Sequence, residues 1–598
     1  MNSPTEIKSD ILITDYAMDR AAREIREKVS EVLGGNPEID LRVPPPDIAA
    51  HFAIPCFPYA KTMRKAPNAI AQELADKITV GADNYIGRLE ALNGYLNIYL
   101  NIPKTTGEIF SDFETYGNSY GCNSTGKGKT VVIDFSSPNI AKPFSVGNIR
   151  STVIGQSIYN IYAANGYKTI GDNHLGDWGT QFGKLLYAYE LWGDDEKIRQ
   201  NPIKELLNLY VKFHAEAKQV GGNAASEEDE NSETSENPME NEARKRFKML
   251  EEGDAEATRL WKWFVDLSLT DFDKIYNRLG IHFDLTLGES FYNDKTDEVI
   301  KLINEKGIGT READGSLLIR LDEQGITTPI LVQKKDGASL YATRDLAGLI
   351  YRIREYNPDI IMYVVGSEQK LYFQQCLKVL DLMGFNTRAV HIDFGMVSLK
   401  EGKMSTREGR VIFFEDVIEE AYQRALKILE EKRPDLSPEE RLEIAEVVAV
   451  GAIKFNDLSQ SRQKNVVFDW DKMLAFDGDT APYLQYSYAR VMSLLRKADA
   501  AGQVMPELLT EPEEFSLLRR LARFPEAVAE AAKEFAPHII AQYLIETARI
   551  FTEFYGRVPV LKAADENIIA TRLQLVRYYA EVMKSGLALL GIKTVERM

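Results

Sequence analysis

The chain has 598 residues, 44% of them hydrophobic and 27% charged, and its formal net charge is −18. A chain of this length is too long for one hydrophobic core, so we expect several domains. The acidic balance argues against a globally basic nucleic-acid binder, although a local basic surface would still suit RNA.

Cysteine usage and hydropathy indicate the compartment. The three cysteines, Cys56, Cys122 and Cys376, are far apart and show no metal-ligand spacing. We therefore expect neither a disulfide framework nor a protein-bound structural metal. No apolar run approaches the roughly 20 residues of a membrane span, and the N-terminus lacks the features of a signal peptide. These patterns predict a cytoplasmic protein that does not bind membranes.

Residues 1–120 are predicted to mix helix and strand. "DYAMDRAAREIREKVSEVL" and "NAIAQELADKI" have helical spacing, whereas "GYLNIYLN" alternates like a strand. The Gly-, Ser- and Asn-rich "YGNSYGCNSTGKGKT" marks a boundary. Its end superficially suggests a phosphate-binding P-loop, but the spacing fails in either register and a strand follows where a helix is required. We interpret it as a linker.

Residues 121–475 are predicted to form a doubly wound parallel sheet. "TVVIDF", "IIMYVVGS" and "AVHIDFGMV" are short apolar runs without alternation, typical of parallel strands covered on both faces. Helical stretches separate them, and a ligand crevice is expected at the carboxyl ends of the strands. A helical insertion is predicted at about 185–285. It contains an acidic, low-complexity stretch, 221–242, expected to be a disordered or solvated loop.

Residues 476–598 are predicted to form an all-α bundle. "LIETARIFTEFYGRV" and "TRLQLVRYYAEVMKSGLALLGI" carry helical apolar spacing, and the preceding "SPEERLEIAEVVAVGAIKF" opens with a good helix cap.

The first candidate site is the loop between a strand and a helix in "IDFSSPNIAKPFSVGNIRSTVIG". The helix that starts at Val146 offers free backbone N–H groups and the positive end of its dipole to an anion. Gly147 permits close approach, and Lys142 can add a charge. Taken alone, an ordinary strand–helix turn is the alternative.

The second candidate site is the loop "LKEGKMSTREGRV", which follows the strand "HIDFGMV". Lys403, Arg407 and Arg410 are cations of the kind that stabilise transition-state charge in phosphoryl or nucleotidyl transfer. A basic surface loop is the simpler interpretation of this segment alone. Its pairing with the first loop favours a nucleotide site.

Together the two loops resemble the His-x-Gly-His and Lys-Met-Ser-Lys-Ser motifs of class I aminoacyl-tRNA synthetases. "NHLGDWGTQFGKL", "YATRDLAGLIYR", "FDGDTAPYLQYSYARV" and "LLGIKTVERM" narrow the resemblance to the arginyl-tRNA synthetase family, in that family's order and over nearly the whole chain. The resemblance implies an α/β multidomain protein. A class I Rossmann-like catalytic domain would span 121–475, an N-terminal α+β added domain 1–120 would contact the tRNA elbow, and an all-α anticodon-binding domain would span 476–598.

The implied activity is activation of L-arginine by ATP with Mg²⁺ to arginyl-adenylate, followed by transfer to the 3′ end of tRNA(Arg). The family's habit suggests a monomer. The alternative is a non-catalytic paralogue that binds tRNA or arginine as a regulator. The retained Lys142 and the cationic second loop favour the enzyme. A synthetase for another amino acid is disfavoured, because acidic pocket groups would stay unpaired around an apolar substrate.

The resemblance also implies three sets of site residues. Those for catalysis and ATP are Pro138, Lys142, Ser145, Gly147, Asn148, Lys403, Met404, Ser405 and Arg407. Those for arginine are Asp134, Ser136, Asn139, Glu289, Tyr341, Asp345 and Gln369, since carboxylates and a planar partner suit a guanidinium. Those for tRNA are Tyr483, Tyr486, Tyr488 and Arg490, although some of these tyrosines can equally be core. Trp178 and Gln181 match a stretch that lines the site, and His174 is either a ligand contact or a structural histidine.

The first loop departs from the family pattern, because Ser145 and Asn148 replace both histidines. Neutral donors cannot form the charge-assisted hydrogen bond that a charged histidine makes to phosphate. Losing that bond weakens binding by about 1 to 3 kcal/mol. Lys142, Lys403 and Arg407 are the expected compensating cations; Arg407 stands where the family has the last motif lysine. The sequence thus predicts an active enzyme with a neutral phosphate site.

Overall fold

The computed structural model describes residues 15–35, 37–44, 48–221, 237–335, 337, 340–399, 413–498, 502–563 and 565–598. Most of the predicted acidic loop lies outside the described residues. So do the second-loop residues Lys403, Met404, Ser405 and Arg407.

The N-terminal region packs helices against an antiparallel sheet of strand order β1-β3-β2. Its elements are α1 (Ala17–Leu33), β1 (Phe52–Pro55), α2 (Ala60–Met63), α3 (Pro67–Lys77), β2 (Ile86–Leu92), β3 (Tyr95–Leu100) and α4 (Ile102–Tyr116). Helix α1 buries Ala17, Ala21, Ile25 and Val29, which the helical repeat places on one face. The predicted helices and the predicted strand β3 are confirmed.

The central region begins with the sheet and its helical insertion. These elements are β4 (Thr130–Asp134), α5 (Val146–Ala164), β5 (Lys168–Asp172), α6 (Thr180–Trp192), α7 (Asp195–Gln200), α8 (Pro202–Gly221), α9 (Pro238–Glu251) and α10 (Ala255–Leu279). Its remainder contains α11 (Thr296–Lys306), β6 (Thr310–Arg311), β7 (Leu317–Leu321), β8 (Ile326–Gln333), α12 (Tyr341–Tyr356), β9 (Ile360–Tyr363), α13 (Lys370–Met383), β10 (Arg388–His391), β11 (Val397–Leu399), α14 (Phe414–Lys432), α15 (Pro438–Leu458), β12 (Val466–Phe468) and α16 (Trp470–Met473).

A parallel sheet of order β10-β9-β4-β5 forms the core of this region and confirms the predicted strands. In its register, Asp134 at the end of β4 lies beside Asp172 of β5 and Tyr363 of β9. Three polar side chains therefore end at one edge of the sheet, where parallel α/β proteins bind their ligands.

Two smaller sheets of this region were not predicted. In one of them β11 pairs with β12 in parallel. Strands β6, β7 and β8 form an antiparallel sheet between α11 and α12. Only Ile330 and Val332 of β8 are buried, so the strand shows little apolar alternation in the sequence.

The C-terminal region is helical, as predicted, with α17 (Ala481–Lys497), α18 (Pro512–Leu521), α19 (Phe524–Lys533), α20 (Pro537–Arg557) and α21 (Glu566–Leu589). Its last helix docks on α5, where the Ser157 hydroxyl donates to the Leu589 carbonyl at 3.0 Å. It also meets the N-terminal region, where Phe113 and Tyr578 stack with ring centroids 4.1 Å apart. The helix that carries the first candidate site thus touches the C-terminal domain directly.

Candidate active site

A buried arginine organises the edge of the parallel sheet. Arg352, 1% exposed, donates to Asp134 and Asp172 at 2.7 Å each and to the Tyr363 hydroxyl at 2.8 Å. These acceptors sit at the ends of three neighbouring strands. The guanidinium pairs two buried carboxylates that would otherwise be costly to desolvate.

The first loop leaves this edge in a constrained conformation. Ser136, Ser137 and Ala141 have φ of 73°, 49° and 60°, a left-handed region that costs non-glycine residues energy. Side chains from other elements hold it: Ser151 accepts from the Ser136 N–H at 2.9 Å, and Ser268 accepts from the Ala141 N–H at 3.1 Å. The surrounding structure therefore imposes the shape of the loop.

The predicted phosphate residues lie at the N-terminus of α5. The Asn148 carbonyl oxygen Oδ1 accepts from both the Ser145 N–H and the Ser145 hydroxyl at 2.9 Å, so the two replacements cap the helix together. Gly147 is exposed on the first turn. The ammonium of Lys142 lies 5.8 Å from the Tyr210 ring centroid on α8. Pro138 is buried in the loop.

The flanks of the second loop adjoin the first. Phe413 and Ser145 form an isolated antiparallel β-bridge, and the Phe414 N–H donates to the Phe144 carbonyl at 3.0 Å. On the other flank, fully buried Arg150 of α5 donates to the Gly395 carbonyl at 2.7 Å, just before β11. The described residues on either side of the second loop thus contact the first loop and the helix that follows it.

The central segment (residues 173–179, after β5) joins the first loop to the predicted arginine pocket. Gly176 exchanges backbone hydrogen bonds with the loop at 3.1 Å, beside Asn139. Leu175 accepts from the Glu289 N–H at 3.0 Å, and His174 Nδ1 lies 2.9 Å from the Leu287 carbonyl. A side chain at Gly179 would contact the Tyr341 hydroxyl. Asn139, Glu289 and Tyr341 therefore surround one segment.

The pocket is acidic, and the Glu289 side chain is only 16% exposed. Burial raises the pKa of Glu289 to about 7, opposed mainly by the positive charge of Arg344. The Arg344 Nε lies 3.7 Å from Glu289 Oε2, and the Arg344 guanidinium sits 5.0 Å from the Tyr341 ring centroid. Asp345 accepts a short hydrogen bond from the Tyr372 hydroxyl. Carboxylates and an aromatic ring of this kind suit a guanidinium.

Two predicted arginine ligands are engaged inside the protein. Asp134, 3% exposed, accepts from Arg352 and from the Ser137 hydroxyl at 2.9 Å, and the Ser136 hydroxyl lies 2.8 Å from the Tyr276 hydroxyl. In this structure both side chains support the loop, and their contact with arginine stays a prediction. Gln369 is exposed in the turn after β9.

Sequence reasoning missed Arg352, Arg344 and Tyr372. Arg352 follows Asp345 by seven residues on α12, and an arginine on a buried helical face is a signal for an internal carboxylate partner. Trp178 packs edge-on against Trp261 at 5.6 Å, and Gln181 lies near Lys142.

The predicted tRNA residues divide between surface and core. Tyr486, 43% exposed, and Arg490 line a groove of 630 Å³ together with Arg433, Arg496 and Lys497. Tyr483 is half-buried. Tyr488 is 4% exposed and belongs to the hydrophobic core, so its prediction as a base-stacking residue is wrong.

Within the described ranges, no group of three or more His, Cys, Asp or Glu side chains is placed to hold a metal ion. Among the helices that the structure describes, none combines the length and apolar character needed to cross a membrane.

Comparison with known proteins identifies the family. Residues 115–470 match the family model described as tRNA synthetases class I (R), catalytic domain. Residues 19–100 match the arginyl tRNA synthetase N terminal domain, and residues 484–598 the DALR anticodon binding domain.

Named relatives are similar to this chain along nearly its full length. The arginine–tRNA ligase of Clostridium perfringens is 45% identical over 96% of this chain and 99% of its own, and that of Halothermothrix orenii is 42% identical over 93% and 95%. The solved arginyl-tRNA synthetase of Thermus thermophilus superposes with a TM-score of 0.78 at 25% identity, covering 96% of this chain and all of that one. These matches give no support to the non-catalytic alternative. The chain belongs to the class I arginyl-tRNA synthetase family.

Proposed function

We propose that this protein is an arginine–tRNA ligase. It activates L-arginine with ATP and Mg²⁺ to arginyl-adenylate and transfers the arginyl group to the 3′ end of tRNA(Arg). The observation that carries the proposal is the acidic pocket of Glu289 and Asp345, which the central segment joins to the N-terminus of α5. One site thereby offers a guanidinium pocket beside a phosphate-binding helix end.

In the first step, an arginine carboxylate oxygen attacks the α-phosphorus of ATP, and the bond to the β-phosphate breaks to release pyrophosphate. Glu289, Tyr341 and Asp345 hold the guanidinium, and Asn139 lies where it can contact the amino-acid end. The free N–H groups of the first turn of α5, including that of Gly147, receive phosphate oxygens.

In this proposal the two residues that replace the motif histidines stay uncharged. Because Ser145 and Asn148 bond to each other, they preserve the helix start, and the positive charge is assigned to Lys142, Lys403 and Arg407. Pro138, Met404 and Ser405 complete the predicted ATP contacts. In the second step, a ribose hydroxyl of the tRNA attacks the acyl carbon and AMP leaves.

The C-terminal groove is the proposed anticodon surface. Tyr486 supplies an exposed ring for base stacking, and Arg490, Arg496 and Lys497 supply charge for phosphates. The N-terminal domain would contact the tRNA elbow. A monomer acting in the cytoplasm is part of the same proposal, in keeping with the free thiols of Cys56, Cys122 and Cys376.

The test is arginine-dependent ATP–pyrophosphate exchange with and without tRNA(Arg). We expect exchange in the presence of tRNA(Arg), and Asp345→Ala should weaken arginine use far more than tRNA binding. Intact tRNA binding with no exchange in either condition would establish the regulator instead. Equal loss of both properties in the Asp345 variant would indicate misfolding and not a pocket role.

A further inference from the structure

His174 belongs to the central segment and lies beside the pocket, with its side chain 15% exposed and its ring 5.5 Å from that of Tyr292. Its Nδ1 lies 2.9 Å from the Leu287 carbonyl oxygen. Because a carbonyl oxygen can only accept, Nδ1 must carry the proton of this hydrogen bond. In the neutral imidazole, Nε2 then has a free lone pair.

That lone pair faces another acceptor. Nε2 is 3.8 Å from Asp345 Oδ1, beyond hydrogen-bond distance. The other oxygen of Asp345 accepts from the Tyr372 hydroxyl, which fixes the orientation of the carboxylate. Across the pocket, Glu289 Oε2 is buried and has no hydrogen-bond partner in the described part of the chain. His174 and Asp345 are both close neighbours of Glu289, so three acceptors lie near one another.

We propose that His174 is a substrate-binding residue whose Nε2 accepts a hydrogen bond from the guanidinium of bound arginine, beside Asp345. This inference rests on the proposed function. A guanidinium presents five N–H donors in a planar fork, more than one carboxylate can satisfy. A neutral acceptor adds a contact without adding a further negative charge to Glu289, Asp345 and the adjacent Asp177.

Two substitutions separate this role from a structural one. The amide nitrogen of asparagine reaches the position of Nδ1, so His174→Asn keeps the bond to Leu287 and removes the Nε2 acceptor. The amide oxygen of glutamine reaches the position of Nε2, so His174→Gln keeps the acceptor and loses the bond to Leu287. We expect His174→Asn to raise KM for arginine more than His174→Gln does.

The measurement is ATP–pyrophosphate exchange with varied arginine, using the full chain and tRNA(Arg). His174→Asn should raise KM for arginine about 10- to 100-fold, the effect of losing a hydrogen bond to a charged group, with KM for ATP unchanged. His174→Gln should remain within about fivefold of wild type. His282→Asn is the matched control, because His282 Nε2 lies 3.7 Å from Asp284 but is 70% exposed.

A normal KM for arginine in His174→Asn, together with a raised KM in His174→Gln, would overturn the inference. The role of His174 would then be its hydrogen bond to the Leu287 carbonyl. Equal impairment of both, or a loss shared by KM for ATP, would overturn it as well. A wild-type protein without arginine-dependent exchange would refute the proposed function itself, so the two failures are distinct.

Discussion

Glu289 should couple arginine binding to a proton. Burial raises its pKa from 4.5 to about 7, so near pH 6 the carboxyl is mostly protonated in the empty pocket. A guanidinium binds the carboxylate, so binding must release this proton. The affinity for arginine should therefore rise as pH increases from 6 to 8, by up to about tenfold per pH unit below the pKa.

Calorimetric titration with arginine in buffers of different ionisation enthalpy would measure the proton directly. At pH 6 we expect release of close to one proton, falling toward zero at pH 8. Glu289→Gln should abolish most of the proton release, whereas His174→Gln should leave the release unchanged. The other charged groups that face this carboxyl are Asp345, Asp177 and Arg344. Release that persists in Glu289→Gln would assign the proton to another group.

The positions of residues around the pocket were predictable where a motif carries them. Glu289, Tyr341 and Asp345 follow from the resemblance, and the structure gathers them around the central segment. The role of Arg352 could not be predicted from the sequence, because its partners Asp134 and Asp172 lie 218 and 180 residues away. Only the register of β4 and β5 brings those two carboxylates together, and register is a property of the folded sheet.

At the scale of the element, α5 must lie flush against the sheet to aim its N-terminus. Gly155 provides this contact, since a side chain there would overlap the Phe135 ring at the end of β4. Gly155→Ala should therefore push the helix from the sheet. We expect a loss of about 1 to 3 kcal/mol in stability and a raised KM for ATP, because the helix start moves with the helix.

The same substitution in α4 is the control. Gly107 is also within a helix, and a side chain there would meet no atom within 4 Å. Gly107→Ala should stabilise the protein by about 0.5 to 1 kcal/mol through lower backbone entropy of the unfolded chain. Thermal denaturation with exchange kinetics would check both; equal effects at the two sites would show that packing against Phe135 is not what Gly155 provides.

Elements were predictable in proportion to their periodicity. The predicted parallel strands are continuous apolar runs, and the long helices repeat their apolar residues at helical spacing, so their sequences specify them. The sheet of β6, β7 and β8 was missed because its exposed face interrupts the pattern and its pairing sets the strands. The contacts between the domains leave no periodic signal at all.

At the scale of the molecule, Lys454 joins three parts of the chain. It lies in α15, 1% exposed, and its Nζ donates to the Leu279 carbonyl at the end of α10 and to the Gly591 carbonyl after α21, the latter at 2.5 Å. Burial, aided by Lys593, lowers its pKa from 10.5 to about 7. A neutral amine still has two hydrogens, which match the two carbonyls.

This lysine should make the stability of the whole molecule rise with pH. Between pH 7 and 10 the unfolded lysine keeps a proton that the folded one has lost, so the free energy of unfolding increases by about 1 kcal/mol per pH unit. Below pH 7 both states are charged, and the contribution becomes constant at its least favourable value.

Scanning calorimetry of wild type and Lys454→Met at pH 7, 8 and 9 would test this sign. The variant leaves two carbonyls without a donor, a cost that does not depend on pH, so the informative quantity is the slope. The stability difference between wild type and variant should grow with pH, and Lys593→Gln should move its onset upward by removing a repelling charge. A constant difference would mean that Lys454 stays charged in its buried position, held as an ammonium by the carbonyls of Leu279 and Gly591.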